Sequence, residues 1–513
     1  MKKDEAKLGA ILSYIIIVLN MIIGVAYTPI LTSKLGQSEY GLYSLVASVI
    51  SYLTILDFGF GNAIIIYTAR YRAKGEKEKE RKLHGMFLVI YTIIGIVAGI
   101  IGAILYFNVE KLFGQSMTVD ELSRAKTLMV ILTFNLVMTF PLSIFGSIIT
   151  AYEKFIFAKI LNIVRILLNP LIVIVLLNMG YKSVALVVVT TCLNIVTLLI
   201  NMIYCKTKLD IKLKFGKIDK LLLKEICAYS VFIFLNTIID KINWSVDQFV
   251  LGAVAGTVAV AIYSTASHLN TMYLNFSTAI SSVLLPKVAI MQENNASYEE
   301  FTSIFIKTGR IQYVILALII TGFILFGQEF INIMWVGPEY SQAYLIACIL
   351  MIPVTLPLIQ NVGINILQVK NLYKYRTIIL FGIAILNVGI SIPLAKMWGG
   401  VGSAIGTGMA LTLGQIIILN IFYYKKVHIN IPRFWKEILK MSIPVVIVFF
   451  IGIEIKTIMP INTKIMLVTE IIIYTILYVI GMYNFGMNNY EKELFSKPVK
   501  KIIKRCNERG IEQ

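Results

Sequence analysis

The stretch YSVFIFLNTIIDKINWSVDQFVL (229–251) decides the fold of this 513-residue chain. It has the length and apolar weight of a membrane-spanning helix, since about 20 residues cross a hydrocarbon core. Yet Asn236, Asp240, Lys241, Asn243, Asp247 and Gln248 lie inside it. At about 100° per residue, Asn236, Asp240, Asn243 and Asp247 share one face. An Asp or Lys at a helix centre costs about 2.5–3.5 kcal/mol on insertion scales. Such a face must meet other helices or water, not lipid. Two readings stand: an internal ion pair, Asp240 with Lys241 or a neighbour, that glues a bundle, or the polar wall of a transport cavity.

Working outward, the composition fits one class. The chain is 58% hydrophobic and 15% charged, with mean hydropathy +0.81, the profile of a polytopic membrane protein. The net charge of +19 is that of loops facing anionic headgroups and calls for no nucleic acid. The N-terminal MKKDEAK runs straight into a long apolar segment, which reads as an uncleaved first span. The five cysteines and three histidines are scattered and imply neither a disulfide framework nor a metal site.

Hydrophobic runs give about fourteen spans: 8–31, 41–67, 84–107, 125–150, 156–178, 183–204, 228–252, 258–286, 309–327, 341–367, 377–396, 401–423, 441–459 and 464–484. Lys and Arg crowd the breaks after even-numbered spans, as in Arg70, Arg72, Lys74, Lys77, Lys79, Arg81 and Lys82, and again from Lys206 to Lys224. Breaks after odd-numbered spans hold few. Both termini are therefore expected in the cytoplasm. All breaks are short, and GxxxxGK[ST], DxD and HExxH are absent from the sequence, which argues against an enzyme.

The chain also repeats itself. Leu19-Asn20 matches Leu235-Asn236, Gly36 matches Gly252, Tyr43-Ser44 matches Tyr263-Ser264, and Pro141-Leu142 matches Pro357-Leu358, at shifts of 216 to 220 residues. The expected fold is all-α: two six-helix lobes related by a pseudo-two-fold axis along the membrane normal, plus two C-terminal helices, with a site between the lobes. The expected segments are an N-lobe (1–205), a basic cytoplasmic linker (206–227), a C-lobe (228–424), a basic loop (425–440), spans thirteen and fourteen (441–484) and a basic cytoplasmic tail (485–513).

Further polar residues sit within spans. Span two holds LDFGFGN (56–62), where Asp57 needs a partner and the glycines permit close contact or local unwinding. Span five holds Arg165, able to pair bidentately with a phosphate or with Asp57, Asp240 or Asp247, and Asn169-Pro170, expected to kink the helix. Span eleven carries Asn387, and span twelve opens on the glycine-rich 399–403. Glu454 and Glu470 lie off the repeat.

The order and spacing of LGQSEYGLYSL (35–45), ILDFGFGNAI (55–64), DQFVLG (247–252) and AIYSTASHL (261–269) resemble the Wzx-type polysaccharide flippases of the multidrug/oligosaccharidyl-lipid/polysaccharide exporter superfamily. The resemblance covers most of spans one to twelve. It implies a bacterial plasma-membrane protein with two lobes around a central cavity, turning an undecaprenyl-pyrophosphate-linked oligosaccharide from the inner to the outer leaflet. It further implies work alongside a polysaccharide polymerase and chain-length proteins. Relatives that flip lipid II place cavity arginines in the first, second and eighth spans. This sequence has none at the middle of those spans, so Arg165 and Lys241, with Asp57 and Asp247, are the substrate-binding candidates. Some relatives bind sodium through an Asp on span seven and polar groups on span eleven. Asp240 and Asn387 are the nearest matches, with Na+ or H+ as the coupling ion and no cofactor. A multidrug exporter of the same superfamily, or a membrane glycan polymerase, are the alternatives.

The charge asymmetry makes a direct prediction. Cysteines placed at Ser38 and Ser116 label with a membrane-impermeant thiol reagent on intact cells, and one at Lys79 does not; labelling of Lys79→Cys from outside overturns the topology.

Overall fold

A computed structural model describes residues 2–216, 220–282 and 284–494. The basic tail beyond Leu494, Cys506 included, and linker residues 217–219 lie outside the described residues. The described residues hold helices and connecting turns, and no strand. The helices are α1 Lys2–Leu35, α2 Gln37–Leu53, α3 Phe60–Ala73, α4 Lys77–Phe113, α5 Val119–Ala151, α6 Phe155–Asn178, α7 Ser183–Thr207, α8 Lys220–Val254 and α9 Gly256–Ser282. There follow α10 Leu285–Glu293, α11 Tyr298–Glu329, α12 Gln342–Ile359, α13 Val362–Val369, α14 Tyr373–Leu411, α15 Leu419–Phe422, α16 Ile431–Ile458 and α17 Lys464–Gly481.

Among the described residues eleven helical segments are long and apolar enough to cross a membrane, or twelve if α8, bent by 47° between Ala228 and Ile233, counts as one. Their outward faces are apolar: Ile93, Ile96, Ile100 and Ile104 of α4 are each more than half exposed. The i, i+3/i+4 spacing of these residues is a lipid-facing stripe.

Several spans are broken where the sequence carries Gly or Pro. Span two, expected as one run from 41 to 67, is α2 and α3 joined by a 3-10 turn, Thr54–Asp57. Phe58 and Gly59 then adopt left-handed conformations (φ 52° and 73°). Of the two readings these glycines allowed, close contact or local unwinding, the backbone here is unwound. Span ten is broken between α12 and α13, just after Pro353 and Pro357. Pro170, expected to kink span five, does not interrupt α6, which runs through it to Asn178. The 399–403 glycines act as the chain's hinge between spans eleven and twelve. α14 departs from helical geometry at Trp398 and at Gly399 (φ 56°, ψ −133°). The arms on either side press together: a Cβ on Gly402 would lie 1.9 Å from the Leu394 carbonyl oxygen, and one on Gly406 would lie 2.4 Å from Ser391 Oγ.

The chain divides into two compact units: Met1–His268 with Thr377–Ala410, and Leu269–Arg376 with Leu411–Gln513. In the first unit α5 packs against α2, α3, α4 and α7, while α1 packs against α6 and α2 against α8. A carboxylate organises one end of this unit. Glu121 accepts from Ser38 Oγ (2.5 Å), Thr257 Oγ1 (2.7 Å) and the Thr118 N–H (2.9 Å), the last as half of a capping box that starts α5. Ser116 Oγ donates to the Gly252 carbonyl (2.6 Å).

In the second unit α11 is central, packed by α12, α16 and α17. Val314, Phe326, Met441, Val448, Leu467 and Tyr474 share one buried cluster, so the last two spans rest on span nine. Arg310 of α11, 6% exposed, is fixed from three sides. It donates to Glu491 (2.6 and 2.9 Å), Glu437 Oε2 (3.0 Å) and the Gly486 carbonyl (3.1 Å).

Close helix approach in the first unit depends on Gly41, where a Cβ would sit 1.8 Å from the Thr257 carbonyl oxygen. Backbone cannot yield as a side chain would. Gly41→Val is expected to cost about 1–3 kcal/mol, read as a lowered Tm in detergent. Gly382→Ala, with no atom within 4 Å of the added carbon, is expected to leave Tm unchanged or slightly raised.

Candidate functional site

The polar face of α8 does not stay together in the fold. Asn236 is half-buried and donates to Thr377 Oγ1 (3.2 Å). Asp240 is exposed, whereas Asn243 and Asp247 are buried. Depth therefore separates four residues that share one helical face.

Asp247 is the centre of the site. It is 2% exposed and accepts three hydroxyl hydrogen bonds: from Ser403 Oγ on Oδ1 (2.6 Å), from Thr407 Oγ1 on Oδ2 (2.9 Å), and from the Tyr263 hydroxyl on Oδ2. Thr407 Oγ1 also lies 3.2 Å from Asn387 Oδ1, which in turn accepts from Ser391 Oγ (2.8 Å). Tyr263, Asn387, Ser391, Ser403 and Thr407 are all buried. Three elements build the cluster: α8 supplies Asp247, α9 supplies Tyr263, and the two arms of α14 supply the rest. Residues 387 and 391, like 403 and 407, stand one helical turn apart and share a face. The tight turn at Gly399 brings those two faces together.

All the groups on Asp247 are neutral. No ion pair involves it among the described residues. An ionised carboxylate buried with neutral donors alone keeps one negative charge in a low-dielectric interior, at a cost of several kcal/mol. A bound proton or a small cation removes that charge. The oxygens present are one carboxylate, one amide and several hydroxyls, the donor set of a hard cation.

The structure therefore joins Asn387 to Asp247 rather than to Asp240. Asp57 lies elsewhere in the same unit, accepting from the Tyr91 hydroxyl (2.6 Å). Arg165, half-buried on α6, has no ionic or hydrogen-bond partner among the described residues; the pairs with Asp57 and Asp247 are not formed. Nearby on α6, Asn169 Oδ1 accepts from Thr190 (3.2 Å). Lys241 is half-buried, with Asp240 beside it. Sequence reasoning missed Tyr263, Ser391 and Thr407 as site residues. The available signal was the i, i+4 spacing of 387/391 and 403/407 on either side of the glycine-rich break.

The family model described as "Polysaccharide biosynthesis protein" matches residues 7–292. The chain belongs to that family. No curated protein matches it. Among solved structures it is similar to the lipid II flippase MurJ in an inward closed conformation, at 17% identity and TM-score 0.70, covering 96% of this chain and 99% of that one. It is also similar to an inward-facing multidrug resistance MATE family transporter of the MOP superfamily, at 16% identity and TM-score 0.61, covering 82% and 96%. A MATE transporter of Vibrio cholerae matches at 14% identity and TM-score 0.55, covering 84% and 99%. These likenesses establish the fold of this polysaccharide biosynthesis family member.

The hydroxyl cage predicts coupled energetics. Asp247→Asn and Thr407→Val, made singly and together, are expected to shift Tm non-additively, with an interaction of about 0.5–3 kcal/mol. Additive shifts would show that the two side chains act apart.

Proposed function

We propose that this protein is a flippase that moves an undecaprenyl-pyrophosphate-linked oligosaccharide from the inner to the outer leaflet of a bacterial plasma membrane, for cell-surface polysaccharide synthesis. It works by ion-coupled alternating access and without a catalytic step. The observation that carries this reading is the likeness to the lipid II flippase fold over nearly the whole of both chains, in a member of the polysaccharide biosynthesis family. The multidrug transporters cover about four-fifths of the chain, which favours the lipid-linked substrate over the multidrug alternative.

In this reading the chain crosses the membrane fourteen times. The 55-residue segment Tyr373–Val427, turned at Gly399, counts twice, and the more polar 27-residue α9 counts as a span. The lobes 1–205 and 228–424 are a repeat relationship, whereas the compact units are groupings by packing, so the two divisions coexist. Both termini are cytoplasmic, and a polymerase and chain-length proteins are the expected partners.

Two sets of residues divide the work. A diphosphate cannot cross hydrocarbon unpaired, and Arg165, with Lys241, supplies the fixed positive charge it meets. Asp247, supported by Asn387, Ser391, Ser403 and Thr407, takes the coupling ion, Na+ or H+. Asp240, exposed about two turns away on α8, is left to the substrate side.

Deleting the protein should leave one polyprenyl-linked glycan on the cytoplasmic leaflet. Arg165→Gln, at normal abundance, should abolish export, and Arg165→Lys should keep part of it. Asp247→Asn should uncouple export from both ion gradients in vesicles. Export that survives Arg165→Gln in full removes Arg165 from the pathway; export in vesicles lacking any ion gradient refutes the coupling.

A further inference from the structure

The end of the first unit expected to face the cytoplasm carries a basic feature apart from the residues assigned above to substrate and ion. α3 ends on Arg70 and Arg72, the chain turns through Gly75 (φ 70°), and α4 begins at Lys77. The segment after α7 returns over this turn and is held there by backbone. The Lys214 N–H donates to the Arg81 carbonyl (3.1 Å), and the Ile211 N–H to the Cys205 carbonyl (3.0 Å). The Lys214 ammonium reaches Glu78 (2.6 Å). The fit is tight: a Cβ on Gly85 would lie 2.3 Å from the Lys214 carbonyl oxygen.

Between these segments lies a cleft of about 360 Å³ whose charged lining is Arg72, Lys77, Arg81 and Lys212 against Glu80 and Asp210. The acids and two of the cations are occupied. Glu80, 6% exposed, accepts from the Tyr152 hydroxyl (2.7 Å). Asp210 faces Lys212 (3.7 Å), and Arg81 pairs with Glu78 (3.3 Å). Arg72 and Lys77 have no acidic partner among the described residues. The Arg72 guanidinium lies 3.9 Å from the centre of the Tyr152 ring, and the Glu80 bond fixes that ring. Stacking orients a guanidinium while leaving its N–H edge available.

Charges that merely follow membrane topology attract anionic headgroups without a fixed geometry. Here four cations surround a concave space whose walls are fixed by backbone hydrogen bonds and a stacked ring, so little entropy is lost when an anion enters. A guanidinium fork beside an ammonium suits the oxygens of a phosphate.

We propose that this cleft is a binding site for a phosphate-bearing headgroup at the cytoplasmic surface, with Arg72 and Lys77 as the contacts and the 209–214 segment as its wall. The flippase reading supplies the source, a lipid-linked diphosphate captured before it enters the membrane interior. A soluble diphosphate shares the same chemistry.

The test uses the full chain in neutral phosphatidylcholine nanodiscs, with Arg165→Gln and Lys241→Gln already in place so that the interior cations do not report. The probes are farnesyl diphosphate and inorganic pyrophosphate, followed by calorimetric titration. Farnesyl diphosphate is expected to bind. Arg72→Gln with Lys77→Gln should weaken it by about tenfold or more, and Arg72→Lys should retain part of the affinity. Lys74→Gln with Lys82→Gln, which removes the same charge outside the cleft, should change nothing. Pyrophosphate binding as tightly and with the same variant dependence supports the site and assigns it to soluble diphosphates. Where Arg72→Gln disturbs the turn, Lys77→Gln alone carries the test. Equal binding by the cleft variants and the charge-matched control overturns the proposal. Because binding is read without transport, that failure leaves the export experiment standing, and a failed export experiment leaves this one.

Discussion

A carboxylate inside a membrane must be discharged or solvated by its own protein, and Asp247 sets that demand for the first unit. Its oxygens are met by hydroxyls from α9 and from the second arm of α14, and Asn387 on the first arm is tied in through Thr407. Bringing those groups to one point requires a sharp reversal between the arms of α14. It also requires arms close enough for short side chains to reach across. Gly399 permits the reversal, and Gly402 and Gly406 permit the approach. The glycines around the break therefore let the arms lie close enough to present these groups to the acid.

The all-helical membrane class was legible in the sequence because twenty-residue apolar runs admit one structure in lipid. The breaks were partly legible. At Gly59 the backbone unwinds, one of the two readings its glycines allowed, and Gly399 breaks α14 where the sequence marked only a glycine-rich run, while Pro170 leaves α6 continuous, since a membrane helix tolerates a proline when its neighbours satisfy the freed carbonyl. For the site, periodicity placed Asp240 and Asp247 on one face. Periodicity fixes direction and says nothing of depth, so it could not tell the exposed acid from the buried one. Tyr263, Ser391 and Thr407 were illegible for another reason. A membrane helix often turns its hydroxyls back onto its own carbonyls, as Thr237 and Thr265 do here, and sequence alone does not distinguish those from hydroxyls that reach another helix.

Buried cations in the two units show opposite solutions. In the second unit Arg310 is saturated by Glu491, Glu437 and the backbone carbonyls of Gly486 and Glu437. Removing one member of such a set costs about 3–5 kcal/mol, and an arginine so held has no donor left for a ligand. Its work is to fasten the segment after span fourteen to span nine. In the first unit three acids are met by neutral hydroxyls instead, Asp57 by Tyr91, Glu121 by Ser38 and Thr257, and Asp247 by its cage, while Glu39 pairs with Arg124 (2.9 Å). Each of those three acids takes its hydrogen bonds without a protein cation, and Arg165 has no ionic partner among the described residues. An anion that met Arg310 would have to break an ion pair, whereas one that met Arg165 would displace no acid.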